Sequence, residues 1–380
     1  MYHPPGTRLA LLLALILLLA VAAACDSTPS PPTPIPTALP SPTIVAPTLA
    51  PTVMLTAAPT NTPVVALSPT PAATGTAPPI YDARAERITV QSQTLGVPKS
   101  FYVYTPPGYD PAGAARLPVL YLLRGHEREW INKREDGTRG GHNVIDVYEE
   151  LLAQKAVGPL LLVFPGISSD DNSVPGMLTN FRAPTLTTAS GIGTGRFEDY
   201  FIQELIPYVD SHYATIASKA GRGVDGFSLG GTMSTKIAAG HPDLFATVGA
   251  FDGLYFYARP DCTAVDTERD SVFGYLMFNP IFGRPPDPVY GAANNAPNLV
   301  CNGTPAALQS LHWFIQYGPE SAEPNDSNYY RGVHLVEQLT AKGVKNEIEP
   351  ILLGNHRWGT ADAHLRLTLP LHWTVLGATP

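Results

Sequence analysis

Short apolar runs of strand length recur along this chain at 87–90, 101–104, 119–123, 160–164, 223–226, 246–251, 313–317 and 347–353. Helical patterns separate most of them. Phe197, Phe201 and Leu205, flanked by Ile202 and Val209, form an apolar stripe, and Val333, Val336 and Leu339 repeat the pattern later. Strands alternating with helices bury both kinds of element in one arrangement, a mainly parallel central sheet with helices on both faces. The expected class is therefore α/β. The first two runs have no helix between them, which implies antiparallel pairing at one edge. In such sheets a ligand binds outside the carboxyl ends of the strands.

Composition confines this fold to part of the chain. Residues 27–79 carry 15 prolines and 16 serines or threonines with no charged side chain, whereas residues 80–380 have a globular composition. A Pro/Thr/Ser-rich stretch without apolar periodicity cannot offset its ordering entropy, so residues 26–79 read as a disordered linker. In polyproline II form it would reach at most roughly 160 Å. Arg8 and Asp26 are the only charged side chains ahead of residue 80, so the formal charge of -8 lies on the globular block. That balance argues against nucleic acid, which calls for a basic footprint.

Arg8 precedes an unbroken apolar run from Leu9 to Ala24, short for a bilayer span and of the size of a signal h-region. Residues 1–25 thus read as a signal peptide for export. The run ends Val21-Ala22-Ala23-Ala24-Cys25, which is similar to a bacterial lipobox with Ala22 in place of the usual Leu. Lipidation of Cys25 would tether the protein to the membrane, while Ala-x-Ala cleavage would release a secreted form. In an oxidising compartment Cys262 and Cys301 are candidates for a disulfide, with two separate buried thiols as the alternative.

Gly226-Phe227-Ser228-Leu229-Gly230-Gly231 follows the run 223–226 and opens a helical stretch at 232–239. Strand, sharp turn and helix are the setting of a nucleophile elbow, in which glycines flank a serine whose backbone is strained. Ser228 is the expected nucleophile. A serine hydroxyl needs an imidazole to take its proton, and His356, in Gly354-Asn355-His356-Arg357-Trp358 after the last run, has the right place in chain order. His334, His364 and His372 fall within helical stretches and read as surface or packing residues, and His241 as a helix-end residue. Asp326 is the first choice for the acid, followed by Glu323 and Glu320 in the same loop; Asp252, which ends the run 246–251, is a further rival. Helix capping competes for Asp326. The oxyanion donors expected are the amides of Leu229 and of His126, the latter in Arg124-Gly125-His126. Neither a His-Glu-x-x-His string nor clustered Cys and His points to a metal, and no cofactor is implied.

Taken together these residues resemble the esterase D-like family of α/β-hydrolases, which includes feruloyl and acetyl-xylan esterases, S-formylglutathione hydrolases, siderophore esterases and mycolyl-transferring antigen proteins. The resemblance rests on Pro118-Val119-Leu120-Tyr121-Leu122-Leu123 leading to Gly125 and Trp130, and on Phe197-Glu198-Asp199 with Glu204-Leu205-Ile206-Pro207. The elbow, His241-Pro242-Asp243-Leu244-Phe245 and the Gly-x-His-x-Trp at His356 complete it. It implies an α/β-hydrolase fold over residues 80–380 and carboxylic ester hydrolysis through a Ser-His-acid triad and an acyl-enzyme. Two departures stand out. Arg124 replaces the family's usual His or Asp before the oxyanion glycine, and Ser321 stands where the acid often lies. An insertion would restore Asp326; otherwise a dyad, Glu320 or Glu323 serves.

Segments 167–196 and 255–310 follow strands and are expected to overhang the site and set specificity. The implied substrate is a small-molecule or polysaccharide-linked ester. Two other functions share these residues: acyl transfer by the same fold, and a non-catalytic surface lipoprotein that binds glycans or partners.

Overall fold

The computed structural model describes residues 78–378. The signal segment, Cys25 and the linker up to residue 77 lie outside the described residues. Seven strands form one sheet: β1 (Glu86–Gln91), β2 (Pro98–Tyr104), β3 (Val119–Leu123), β4 (Leu161–Phe164), β5 (Arg222–Gly226), β6 (Thr247–Phe251) and β7 (His312–Gln316). Their order is β1-β2-β4-β3-β5-β6-β7. β2 pairs antiparallel with both β1 and β4, and every other pairing is parallel. The fold is an α/β-hydrolase fold with its antiparallel strands at one edge.

Strand β3 shows why the sheet is covered twice. All five of its residues are buried, but successive side chains point to opposite faces. Val119, Tyr121 and Leu123 pack with Phe197, Phe201, Met233 and Ile237 on one side. Leu120 and Leu122 pack with Val144, Tyr148, Leu365 and Leu369 on the other. The helical segment 197–212 and helix Leu229–Gly240 therefore cover the first face, and helices Val144–Ala153 and Trp358–Leu376 the second.

Local sequence explains several helix features. Asn143 and Asp146 form a reciprocal capping box at the start of Val144–Ala153. Segment 197–212 widens to a π turn over Phe201–Leu205, just ahead of Pro207. Proline has no N–H to give the preceding turn and its ring crowds that turn's carbonyl, which the wider turn relieves. In helix Tyr329–Ala341 the buried positions are Gly332, His334, Leu335 and Leu339, so the stripe expected on Val333 and Val336 is shifted by one residue.

The run expected as an eighth strand at 347–353 is not one. Around it the chain makes only two isolated parallel bridges, Asn346 just before the run with Trp313 of β7 and Ile351 with Tyr317 just after β7. Between them the Asn346 side chain stands in for backbone, its amide accepting from Ile315 N–H at 2.8 Å and donating to Ile315 O at 2.9 Å. Pro350 contributes only its carbonyl, which accepts from Tyr317 N–H at 2.8 Å. A regular ladder needs the donor that Pro350 lacks. No helix among the described residues is long and apolar enough to cross a membrane.

Candidate active site

The parallel register gathers the exits of four strands. Leu123 pairs with Gly226, Phe251 with Gln316, and Phe227 bridges Phe251, so the chain leaves β3, β5, β6 and β7 side by side at the carboxyl edge. Ser228 sits at the turn after β5 with φ 59° and ψ -122°, a conformation that non-glycine residues rarely adopt. The turn is tight enough to require its glycines. A Cβ on Gly226 would lie 2.3 Å from the Gly230 carbonyl, and one on Gly230 only 1.8 Å from Leu123 O. Ser228 N–H donates to Phe251 O at 2.9 Å, tying the turn to β6.

His356 Nε2 lies 2.9 Å from Ser228 Oγ, and its Nδ1 lies 2.6 Å from Asp252 Oδ2. Asp252 is fully buried at the end of β6, also with positive φ, at 51°. Its other carboxylate oxygen accepts Gly318 N–H at 3.0 Å and Asn328 N–H at 2.9 Å. Those two amides and His356 Nδ1–H thus give the buried carboxylate three hydrogen-bond partners and fix it against the imidazole. With Nδ1–H bound to Asp252, Nε2 is free to accept the serine proton, the tautomer that general-base chemistry needs.

The first-choice acid is corrected accordingly. Asp326 does not reach the imidazole; its carboxylate pairs with Arg357 at 2.7 Å and its backbone carbonyl accepts His356 N–H at 2.7 Å. It braces the histidine loop from outside because helix Tyr329–Ala341 starts beyond it and leaves it on a partly exposed turn. Glu323 accepts Tyr330 N–H at 3.1 Å, and Glu320 accepts from the Tyr330 hydroxyl. Neither contacts His356.

The oxyanion expectation is also corrected in part. Leu229 opens helix Leu229–Gly240, so its N–H has no acceptor in a preceding turn, and the residue lines the same cavity as Ser228. The buried His126 N–H, in contrast, donates to Glu129 Oε1 at 2.6 Å. The second oxygen of Glu129 ion-pairs with Arg124 Nε at 3.1 Å. The arginine that replaces the family's usual residue thus comes with a carboxylate that occupies the neighbouring amide. The His126 ring lies against Glu127 at 2.9 Å and lines a separate cleft with Arg87, Lys99 and Asp170.

A cavity of about 640 Å³ opens over Ser228 and His356. Segment 255–310 supplies Tyr257, Val272, Tyr275, Met277 and Phe278 to its wall, as expected of an overhanging loop. Cys262 and Cys301 are joined as a disulfide across that segment. Segment 167–196 adds no side chain to this wall; its Arg182 and Ala183 amides donate to Ile281 O and Pro280 O, so it buttresses the loop from behind.

With this geometry in view, residues 92–302 match the family described as Putative esterase, more than half of the chain. The chain belongs to that family. It is 27% identical over 181 residues to an endo-1,4-beta-xylanase/feruloyl esterase of Xylanibacter ruminicola, covering 46% of this chain and 22% of that protein. An esterase of Mycobacterium tuberculosis is 28% identical over 174 residues, covering 45% of this chain and 33% of the other. The chain thus aligns with a third or less of the length of these relatives. A solved ferulic acid esterase superposes with a TM-score of 0.57 at 19% identity, covering 78% of this chain and 100% of that one.

Beneath the elbow of this esterase-family domain lies a polar cluster that the sequence reading missed. The fully buried Asp225 meets His364 Nε2 at 3.0 Å, His372 Nε2 at 3.1 Å and the Thr368 hydroxyl at 2.9 Å. Burial alone would raise the Asp225 carboxyl, but His364 and His372 outweigh it and hold the group well below the usual carboxylate range. The cluster clamps helix Trp358–Leu376 to β5 three residues before Ser228. The spacing of His364, Thr368 and His372, four apart on one helix face, was the available signal. His241 caps helix Leu229–Gly240 and meets Glu198 at 2.8 Å.

Proposed function

We propose that this protein is an exported, membrane-tethered serine esterase that hydrolyses carboxylic esters through Ser228, His356 and Asp252. The observation that carries the reading is the unbroken relay from Ser228 Oγ through His356 to the buried Asp252, with separations of 2.9 and 2.6 Å. In this mechanism Ser228 Oγ attacks the ester carbonyl while His356 Nε2 takes its proton, and the tetrahedral oxyanion forms beside the Leu229 N–H at the helix N-terminus. Collapse expels the alcohol, which leaves with the proton from His356. Water then attacks the acyl-enzyme, gives a proton to the same nitrogen, and the carboxylic acid departs as Ser228 recovers its hydrogen. Asp252 stabilises the imidazolium that exists between these transfers.

The relative named as a feruloyl esterase supports a carbohydrate-linked or aryl ester as substrate. The run from Leu9 to Ala24 and the small residues before Cys25 support export and an N-terminal lipid anchor. Release of nitrophenol from a short-chain nitrophenyl ester tests the reading. Turnover with an initial burst is expected in the unmodified protein and only background in Ser228→Ala; equal rates in the two proteins would overturn it.

A further inference from the structure

The cavity above Ser228 is unbalanced in charge. Among its lining side chains Glu323 is the one carboxylate and Arg331 the one permanent cation. Arg331 is already neutralised: its guanidinium contacts both oxygens of the buried Asp270, at 2.7 and 2.9 Å, and donates to Tyr255 O at 2.7 Å. Glu323 has no comparable partner: Tyr330 N–H donates to it at 3.1 Å, Tyr329 N–H and Arg331 lie near it, and no cation forms an ion pair with it among the described residues. Tyr275 and Tyr330 stand at the rim, 53% and 48% exposed, with ring faces that also favour positive charge. Burial pushes the Glu323 carboxyl above its ordinary range and nearby Asp252 pushes the same way, together outweighing the opposite pull of the Tyr330 and Tyr329 amides and of Arg331. Its ionised form is therefore one that gains from an incoming cation.

We infer that Glu323 sets a charge preference on the substrate, so that among esters of equal size the site takes cationic ones ahead of neutral ones and neutral ones ahead of anionic ones. The inference rests on this cavity being the ester site proposed above. It narrows the substrate class to esters without an anionic group near the scissile bond, and makes Glu323 a specificity-determining residue that takes no part in bond making. Electrostatic complementarity of this kind acts chiefly through selection among ligands, and a single charge at the wall of a half-wet cavity is worth about three- to tenfold.

The test uses the full chain at pH 8 with three phenyl acetates that carry a para trimethylammonium, carbomethoxy or carboxylate group. The readout is the ratio of kcat/KM for the cationic over the anionic ester, divided by the same ratio for hydroxide. A loss of folded enzyme cannot alter that ratio. The ratio is expected to exceed one in the unmodified protein, to fall about fivefold in Glu323→Gln, and to fall further in Glu323→Lys. A ratio that stays within about twofold across all three proteins, with turnover intact, overturns the inference and leaves the esterase reading standing. Failure to hydrolyse even the neutral carbomethoxy ester overturns both.

Discussion

Nδ1 of His356 lies 2.6 Å from Oδ2 of Asp252, a residue 104 positions earlier in the chain. The carboxylate that meets the imidazole therefore comes from the end of β6 and not from the loop after β7. Replacing Asp252 with Asn should lower kcat on a nitrophenyl ester about 10³- to 10⁴-fold, because an amide facing Nδ1 favours the wrong tautomer. Asp326→Ala removes a part-exposed ion pair with Arg357 and should cost less than about tenfold. The two kcat values measured side by side decide between the carboxylates.

Gly230 is the position at which the elbow tolerates least. Its added Cβ would stand 1.8 Å from Leu123 O, backbone of β3 that the sheet prevents from retreating. Gly230→Ala should destabilise the domain by about 3 kcal/mol or more and abolish ester turnover. Urea denaturation of the two proteins checks the first figure.

His334 makes part of the stability pH-dependent. Its buried ring accepts Ala258 N–H at 3.1 Å, and burial, with Arg269 and Arg331 nearby, lowers its pKa from 6.5 to about 4. Between those values the unfolded chain binds a proton that the folded one refuses. The contribution is therefore complete above about pH 6.5 and is lost as the pH falls toward 4, by at most about 3 kcal/mol. Denaturation curves at pH 7 and pH 4.5 should show a larger fall in stability for the unmodified protein than for His334→Gln.

The fold was legible because its signals are local. Alternating apolar runs and stripes, the glycines around Ser228 and the order of Ser228 and His356 each follow from geometry within a few residues. What escaped depends on neighbours distant in sequence. Asp252 and Asp326 both follow strands, and only the positive φ at Asp252 and the position of Asn328 settle which carboxylate turns inward. His126 was expected to present its amide, but Glu129, three residues on, folds back onto it. Pro350 broke the last strand, a local signal outweighed in the sequence reading by the apolar residues around it. His364 and His372 read as ordinary helix positions until β5 brought Asp225 beneath them.

Mass spectrometry of the protein after treatment with a fluorophosphonate probe tests the relay most directly. One adduct is expected on the peptide containing Ser228, absent in Ser228→Ala and formed far more slowly in His356→Ala. A folded protein that takes up no probe, or takes it up on a different serine, would contradict it.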